Sequence, residues 1–368
     1  MKNLKILHFA DLHLDYSYAG VGLPPSVGKT RREGLIDVLK RIFEIAKVRD
    51  ADVVTIGGDL FEQDTIIPAT LKILTEQFEQ IAPIPVLIAP GRSDEYSKDS
   101  LYSRWDFPAN VHIFKTQTPS AFQLAPEITV WGAAYPCVPL NDLLSSLEGD
   151  KGVNLLLLHN PSDQNESDHF LNQEILNRSD KDFALLGGEH QHRTFPGGVM
   201  TGSPDELTKS DAQIREDGIT LITVEQDDIH AEFIRTGSWQ YYSLDVDLSG
   251  CKNMDCVETQ VRQAIRNHVE QYHYLMITLT GTPKCVVDIP HLLEVIDVPV
   301  RFTMRLNPLY DLDTLAKEPT VRGFLAKQFL DYMEKANPED QSRILNALYV
   351  ALQALDGAKE ITNAIEPY

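Results

Sequence analysis

Five short clusters of metal-ligand residue types each follow an apolar, strand-like run, and this recurrence constrains the chain more than any other feature. Asp11-Leu12-His13 follows LKILHF, and Gly57-Gly58-Asp59 closes the apolar run that begins at Ala51. Pro90-Gly91-Arg92-Ser93-Asp94 follows PVLIA, His159-Asn160 follows VNLLLL, and Gly187-Gly188-Glu189-His190-Gln191-His192 follows FALL. A lone DxH or GGD is more often a turn or a solvated loop. Five in order at strand ends reverse that weighting, because functional groups of layered α/β folds gather beyond the carboxyl ends of strands. A spacing of two on an extended backbone points Asp11 and His13 the same way, so both can grip one ion. The glycines before Asp59 allow a sharp turn, and its carboxylate can bridge two cations.

The periodicity predicts strands at 4–9, 51–57, 85–89, 111–114, 128–133, 153–158, 183–186, 198–201, 219–224 and 230–234. It predicts amphipathic helices at roughly 31–49 and at 69–81. Strand-helix-strand order early and clustered strands later imply an α/β fold of two packed sheets flanked by helices, over residues 1–237. A small α/β unit is expected over 238–310, with a helix at 255–270 and strands at 274–280 and 298–305. Residues 311–368 read as a helical segment, including 321–335 and 338–355, where Asn337 offers an N-cap and Pro338 the first helical position. Apolar Phe324, Phe329, Met333, Leu345, Leu348 and Leu352 suit packing on the chain's own core or a partner-binding face.

No apolar run approaches membrane-spanning length, and His8, Asp11 and His13 interrupt the N-terminal run too early for a signal peptide, so a cytoplasmic location is expected. Cys137, Cys251, Cys256 and Cys285 form no CxxC pair, which predicts buried thiols rather than a disulfide framework. The net charge of −21 opposes nucleic-acid binding unless positive charge is local, as in Lys29-Thr30-Arg31-Arg32, or comes from metals or a partner.

The order DxH, GGDLF, G-x-x-D, HN and a late G-x-H-x-H resembles the calcineurin-like metallophosphoesterase superfamily. LHFADLHLD, IGGDLFEQD, FALLGGEHQH and MTGSPDEL are similar to the DNA-repair exonuclease subunits of the SbcD/YhaO type, convincingly over 1–237. The resemblance implies a four-layer αββα core with a small capping domain, two Mn2+ ions, and phosphodiester hydrolysis by a metal-activated water. It also implies an SMC-like, SbcC-type ATPase partner. The metal ligands carried over are Asp11, His13, Asp59, His159 and His190 or His192. The catalytic positions are Asp59, Arg92, Asp94 and His159. Mg2+, Fe or Zn could replace Mn2+, DNA is the expected substrate, and a homodimer stays open.

The chain departs from the family at three places. The GNHD turn reads Gly91-Arg92-Ser93-Asp94, so a metal-ligating asparagine and a proton-donating histidine are missing. Arginine has no lone pair for a cation, and serine is no proton donor near neutral pH. Glu62 stands where the nuclease branch usually has a histidine after GDLF. The GGEHQH segment reads two ways. Without a gap, His190 is the second histidine and Gly188 replaces the first; with one insertion, His190 and His192 are the pair. The ungapped reading is favoured, because its losses fall together on the second metal site. Arg92 either serves as a phosphate clamp or pairs with Asp94, Glu95 or Glu62. Three functions follow: a metal-dependent phosphodiesterase or exonuclease with weakened catalysis, a non-catalytic scaffold for the ATPase, or a small-molecule or phosphoprotein phosphoesterase.

Overall fold

Strands that read as near-continuous apolar runs, such as LKILHF and VNLLLLH, are almost wholly buried in the structure, as sheets covered on both faces require. The computed structural model describes residues 3–21, 25–137, 152–160, 183–207, 217–225, 228–237, 239, 241–267, 274–283, 285, 287–306 and 310–355. The chain divides into two compact units, Met1–Trp239 and Gln240–Tyr368.

In the first unit the elements are, in order, β1 (Leu4–Phe9), α1 (Pro25–Val48), β2 (Val53–Ile56), α2 (Pro68–Gln80), β3 (Val86–Ile88), α3 (Leu101–Arg104) and β4 (Val111–Ile113). There follow β5 (Ser120–Ala125), β6 (Ile128–Gly132), β7 (Val153–His159), β8 (Phe183–Gly187), β9 (Arg193–Phe195), β10 (Gly198–Met200), β11 (Gly218–Glu225) and β12 (Asp228–Arg235). They form two six-stranded sheets, ordered β12-β11-β1-β2-β3-β4 and β5-β6-β7-β8-β10-β9. The strands β1 to β4 run parallel, as do β6, β7 and β8, so their carboxyl ends lie along one edge of each sheet.

One apolar cluster joins the sheets face to face, with Ile6, Val53 and Leu87 from the first and Val130, Leu155 and Leu185 from the second. Another packs Leu35, Val38, Leu39, Ile42 and Phe43 of α1 and Leu74 and Phe78 of α2 onto Leu7, Phe9, Val54 and Ile56. Side chains alternate across a strand, which is why Ile6 and Leu7 face different layers. The outer face of the second sheet carries Leu156, Leu158, Ala184, Leu186 and Met200, and among the described residues no helix joins that cluster. The helix α1 starts six residues before the expected position, at Pro25, because a proline at the first helical position fits a turn that carries no apolar period. The short strands β5 and β9 were not legible, being largely exposed edge strands without alternation.

The second unit contains β13 (Tyr241–Asp247), α4 (Met254–Arg266), β14 (Tyr274–Gly281), α5 (Ile289–Val295) and β15 (Val300–Leu306), with a three-stranded parallel sheet ordered β13-β14-β15. Asn253 and Asp288 cap α4 and α5 by accepting the amides of Cys256 and His291. A separate apolar cluster is built by α6 (Leu312–Leu315), α7 (Val321–Met333) and α8 (Pro338–Leu355), with Ala326, Leu348, Tyr349 and Leu352 buried. Asn337 caps α8 as expected, its Oδ1 2.9 Å from the amide of Asp340. The cysteines depart from expectation, since Cys251 and Cys256 form a disulfide. The turn into α4 brings their Cα atoms to 5.4 Å, within bridging range, while Cys137 is buried as expected.

Candidate metal centre

The loops after β1 and β2 are zipped together by their backbones. The amides of Asp11, His13 and Leu14 donate to the carbonyls of Gly58, Asp59 and Leu60 at 2.9–3.0 Å, and Leu14 bridges Phe61. This pairing replaces the extended backbone expected at DxH. Asp11, His13 and Asp59 all adopt left-handed φ values of 54°, 49° and 50°. Non-glycine residues held there cost of order 1 kcal/mol or more each, so such strain concentrates where function requires it. Gly58, at φ 91°, and Gly91 let the loops close: a Cβ on either would come within 3 Å of His159 Nδ1.

Asp11, His13 and His190 place one ligand atom each within 4.8 Å of one another, and so do Asp11, Asp59 and His159. All except His190 are buried. The ring of His190 stands 5.2 Å from that of His13. This is the partner that the ungapped reading of GGEHQH assigns. His192, carried as a ligand in the other reading, is not in either group. Its Nδ1 lies 3.2 Å from the Thr201 carbonyl and its ring stacks on Phe233 at 4.2 Å, on the β12 side. The residue between the two histidines turns their side chains to different neighbours.

The ring nitrogens are oriented by their partners. Nδ1 of His13 lies 2.6 Å from Oε1 of Glu62, and Nδ1 of His159 lies 3.0 Å from the Gly57 carbonyl, which can only accept. Each therefore presents Nε2 inward, 3.6 Å from Oδ2 of Asp59. Nε2 of His13 is buried without a hydrogen-bond partner. Buried polar atoms are almost always satisfied, and an orphaned imidazole nitrogen facing carboxylates and a second histidine fits a divalent cation.

The electrostatics fit as well. Burial pushes the Asp11 carboxyl well above the carboxylate range, and neighbouring Asp59 raises it further, against the pull of His13 and the Gly188 amide. Burial would raise Asp59 too, but His159, His13, the Ser93 amide and His190 hold it below its ordinary value. Burial would lower His13, yet the Glu62 hydrogen bond and the charges of Asp59 and Asp11 raise it. His159 is lowered by burial, with Asp59 and the Gly57 carbonyl opposing and His13 and Arg92 adding to the shift. Two buried carboxylates competing for positive charge are what a divalent ion would neutralise.

Asp94, expected to act in catalysis, is instead a structural buckle. Its fully buried carboxylate accepts the amides of Asp59, Leu60 and Gly91 and the hydroxyl of Tyr102, at 2.6–3.0 Å. These bonds tie the turn after β3 to the loop that carries Asp59. Burial and Asp59 push its pKa to about 6. Arg92 is exposed; its guanidinium donates to the Tyr135 hydroxyl at 3.2 Å and lies 5.5 Å from that ring's centre. Tyr135 in turn packs edge-on against His159 at 5.5 Å. Nothing in the sequence marks Tyr135, because it belongs to no ligand motif. Ser93 donates its amide to Oδ1 of Asp59 at 2.7 Å.

Arg31 also departs from expectation. Expected in a basic DNA-facing run, it is fully buried and paired with Asp205 at 2.8 Å. Lys29 stands exposed, 3.8 Å from Glu33.

Two parallel-edged sheets with a carboxylate and histidine cluster at their carboxyl ends form a layered α/β fold with a candidate metal site. Residues 4–193 match the family model of calcineurin-like phosphoesterases, and the chain belongs to that family, whose members typically bind divalent metals. The uncharacterized metallophosphoesterase YhaO of Bacillus subtilis (strain 168) is 23% identical over 304 residues, which cover 78% of this chain and 71% of that protein. The crystal structure of TT1561 of Thermus thermophilus is similar at 15% identity and a TM-score of 0.38, over 62% of this chain and 98% of that one. Purple acid phosphatase PPD1 from yellow lupin (Lupinus luteus) seeds is similar at 13% identity and a TM-score of 0.39, over 64% and 52%. Among the described residues no helix is long and apolar enough to cross a membrane.

Proposed function

We propose that the chain is a Mn2+-dependent phosphodiesterase acting on DNA, with one firmly held metal position and a weaker second one. The orphaned Nε2 of His13, set among Asp11, Asp59 and His190, carries this reading. A divalent ion there would polarise a phosphoryl oxygen and lower the pKa of a bound water. Asp11, His13, Asp59 and His190 would hold the first position. Asp59 and His159 face the second, where the family's asparagine is Arg92. The guanidinium of Arg92, hydrogen-bonded to Tyr135, would meet a phosphate oxygen as a positive charge. DNA as substrate is supported by the likeness of the motifs to SbcD/YhaO-type exonuclease subunits. With Arg31 buried, the basic run Lys29-Thr30-Arg31-Arg32 offers one guanidinium fewer to meet phosphate.

Ser93 cannot protonate a leaving group as the family's histidine does, so substrates with good leaving groups should be favoured. Turnover of bis-p-nitrophenyl phosphate should therefore be Mn2+-dependent, abolished by Asp59→Ala, and faster than cleavage of linear DNA. Activity no greater than that of Asp59→Ala on either substrate would refute the reading. The replacements at Arg92 and Ser93 support a second reading, a non-catalytic scaffold for an SMC-like ATPase. Asp59-dependent Mn2+ binding without turnover would favour it. Faster turnover of nucleotides or phosphopeptides than of DNA would favour a small-molecule or phosphoprotein phosphoesterase.

A further inference from the structure

Glu62, which marks a departure from the nuclease branch, is built into the site. Its backbone is fixed on both sides: its amide donates to the Leu14 carbonyl at 3.0 Å, and its carbonyl accepts the amides of Thr65 and Ile66. The side chain is only a quarter exposed. From that pinned position Oε1 reaches Nδ1 of His13 at 2.6 Å. The other group near this nitrogen, the Ser93 hydroxyl, is 3.5 Å away, too long for a strong bond. The opposite nitrogen of the same ring is the buried Nε2 without a partner.

The geometry points to Glu62 as the positioning residue of His13, a carboxylate that fixes the ring's orientation and tautomer so that Nε2 is delivered to a divalent cation. The inference rests on the metal-centre reading above and assigns a role that reading does not contain. An imidazole that turned freely would offer either nitrogen. One whose Nδ1–H is committed to a carboxylate offers Nε2 alone and is the stronger donor. A carboxylate at residue 62 thus strengthens the first metal position in a chain whose second position has lost ligands.

Calorimetric titration of Mn2+ into the full-length chain at fixed pH tests the assignment. Asp59→Ala serves as the no-site control, and thermal unfolding of each metal-free variant reports on folding. Glu62→Ala should weaken Mn2+ binding roughly 10- to 100-fold, the usual effect of losing such a partner. Glu62→Gln keeps an oxygen acceptor for Nδ1 without the charge, and should lose less. With Co2+ in place of Mn2+, the visible absorption of Glu62→Ala should differ from wild type, which a purely structural role would not produce. Wild-type affinity and an unchanged Co2+ spectrum in a folded Glu62→Ala would overturn the inference while leaving the metal centre intact. If Glu62→Ala fails to fold, Glu62→Gln decides: weaker binding supports the role and unchanged binding refutes it. Equal binding by wild type and Asp59→Ala would remove the metal-centre reading, and the inference with it.

Discussion

His8 shows how a single buried side chain makes stability depend on pH. Its Nε2 faces the Leu186 carbonyl at 3.2 Å and must donate, while Nδ1 meets the Thr55 hydroxyl at 3.0 Å. That arrangement suits the neutral ring, and burial, only partly offset by those two bonds, lowers its pKa from 6.5 to about 4. The unfolded chain binds a proton from pH 6.5 downward and the folded one does not, so stability falls as pH falls through that window. The total is about 3 kcal/mol. Urea unfolding of wild type and His8→Gln should therefore diverge in slope between about pH 7 and 4, with the variant less pH-dependent. Parallel curves would contradict the account. The residue types of the site were legible because carboxylates and imidazoles at strand ends have few other uses in such number. Their backbone was not. The left-handed conformations of Asp11, His13 and Asp59 arise from pairing between two loops far apart in sequence. Asp94 reads as a catalytic position for the same reason: a motif records that a carboxylate is needed, and only the fold shows that it receives backbone amides.

Between elements, the helix α1 is fastened to the loop after β10 by a buried ion pair. Arg31 meets Asp205 with both side chains fully excluded from solvent, donates also to the Glu206 carbonyl, and lies over the Trp239 ring at 4.6 Å and the Tyr18 ring at 5.5 Å. Breaking a buried pair leaves one charge stranded, which costs about 3–5 kcal/mol. Arg31→Ala should lower the unfolding free energy by that order, and Arg31→Met combined with Asp205→Leu should recover part of the loss. A double variant no more stable than the single one would show that the pair is not the fastening. Strand and helix positions followed from apolar period where an element is half or fully buried, as in β1, β7 and α8. The period fails at the exposed edge strands β5 and β9, whose place is set by a neighbouring strand rather than by a buried face.

For the whole molecule, the net charge of −21 and the burial of Arg31 both reduce the positive charge available for a nucleic-acid backbone. The sequence lines up the five ligand clusters and favours His190 over His192 only through where the losses fall; that the two histidines face different neighbours is visible in three dimensions alone. Nor does it reveal the Cys251–Cys256 pairing, which depends on a local turn. The central proposal is an asymmetric metal centre at the carboxyl ends of two packed sheets. Anomalous diffraction from Mn2+-soaked crystals tests it most directly. One full-occupancy peak is expected, bounded by Asp11, His13, Asp59 and His190, with a weaker peak or none beside His159. No peak within that group, two peaks of equal strength, or a peak ligated by His192 would contradict it.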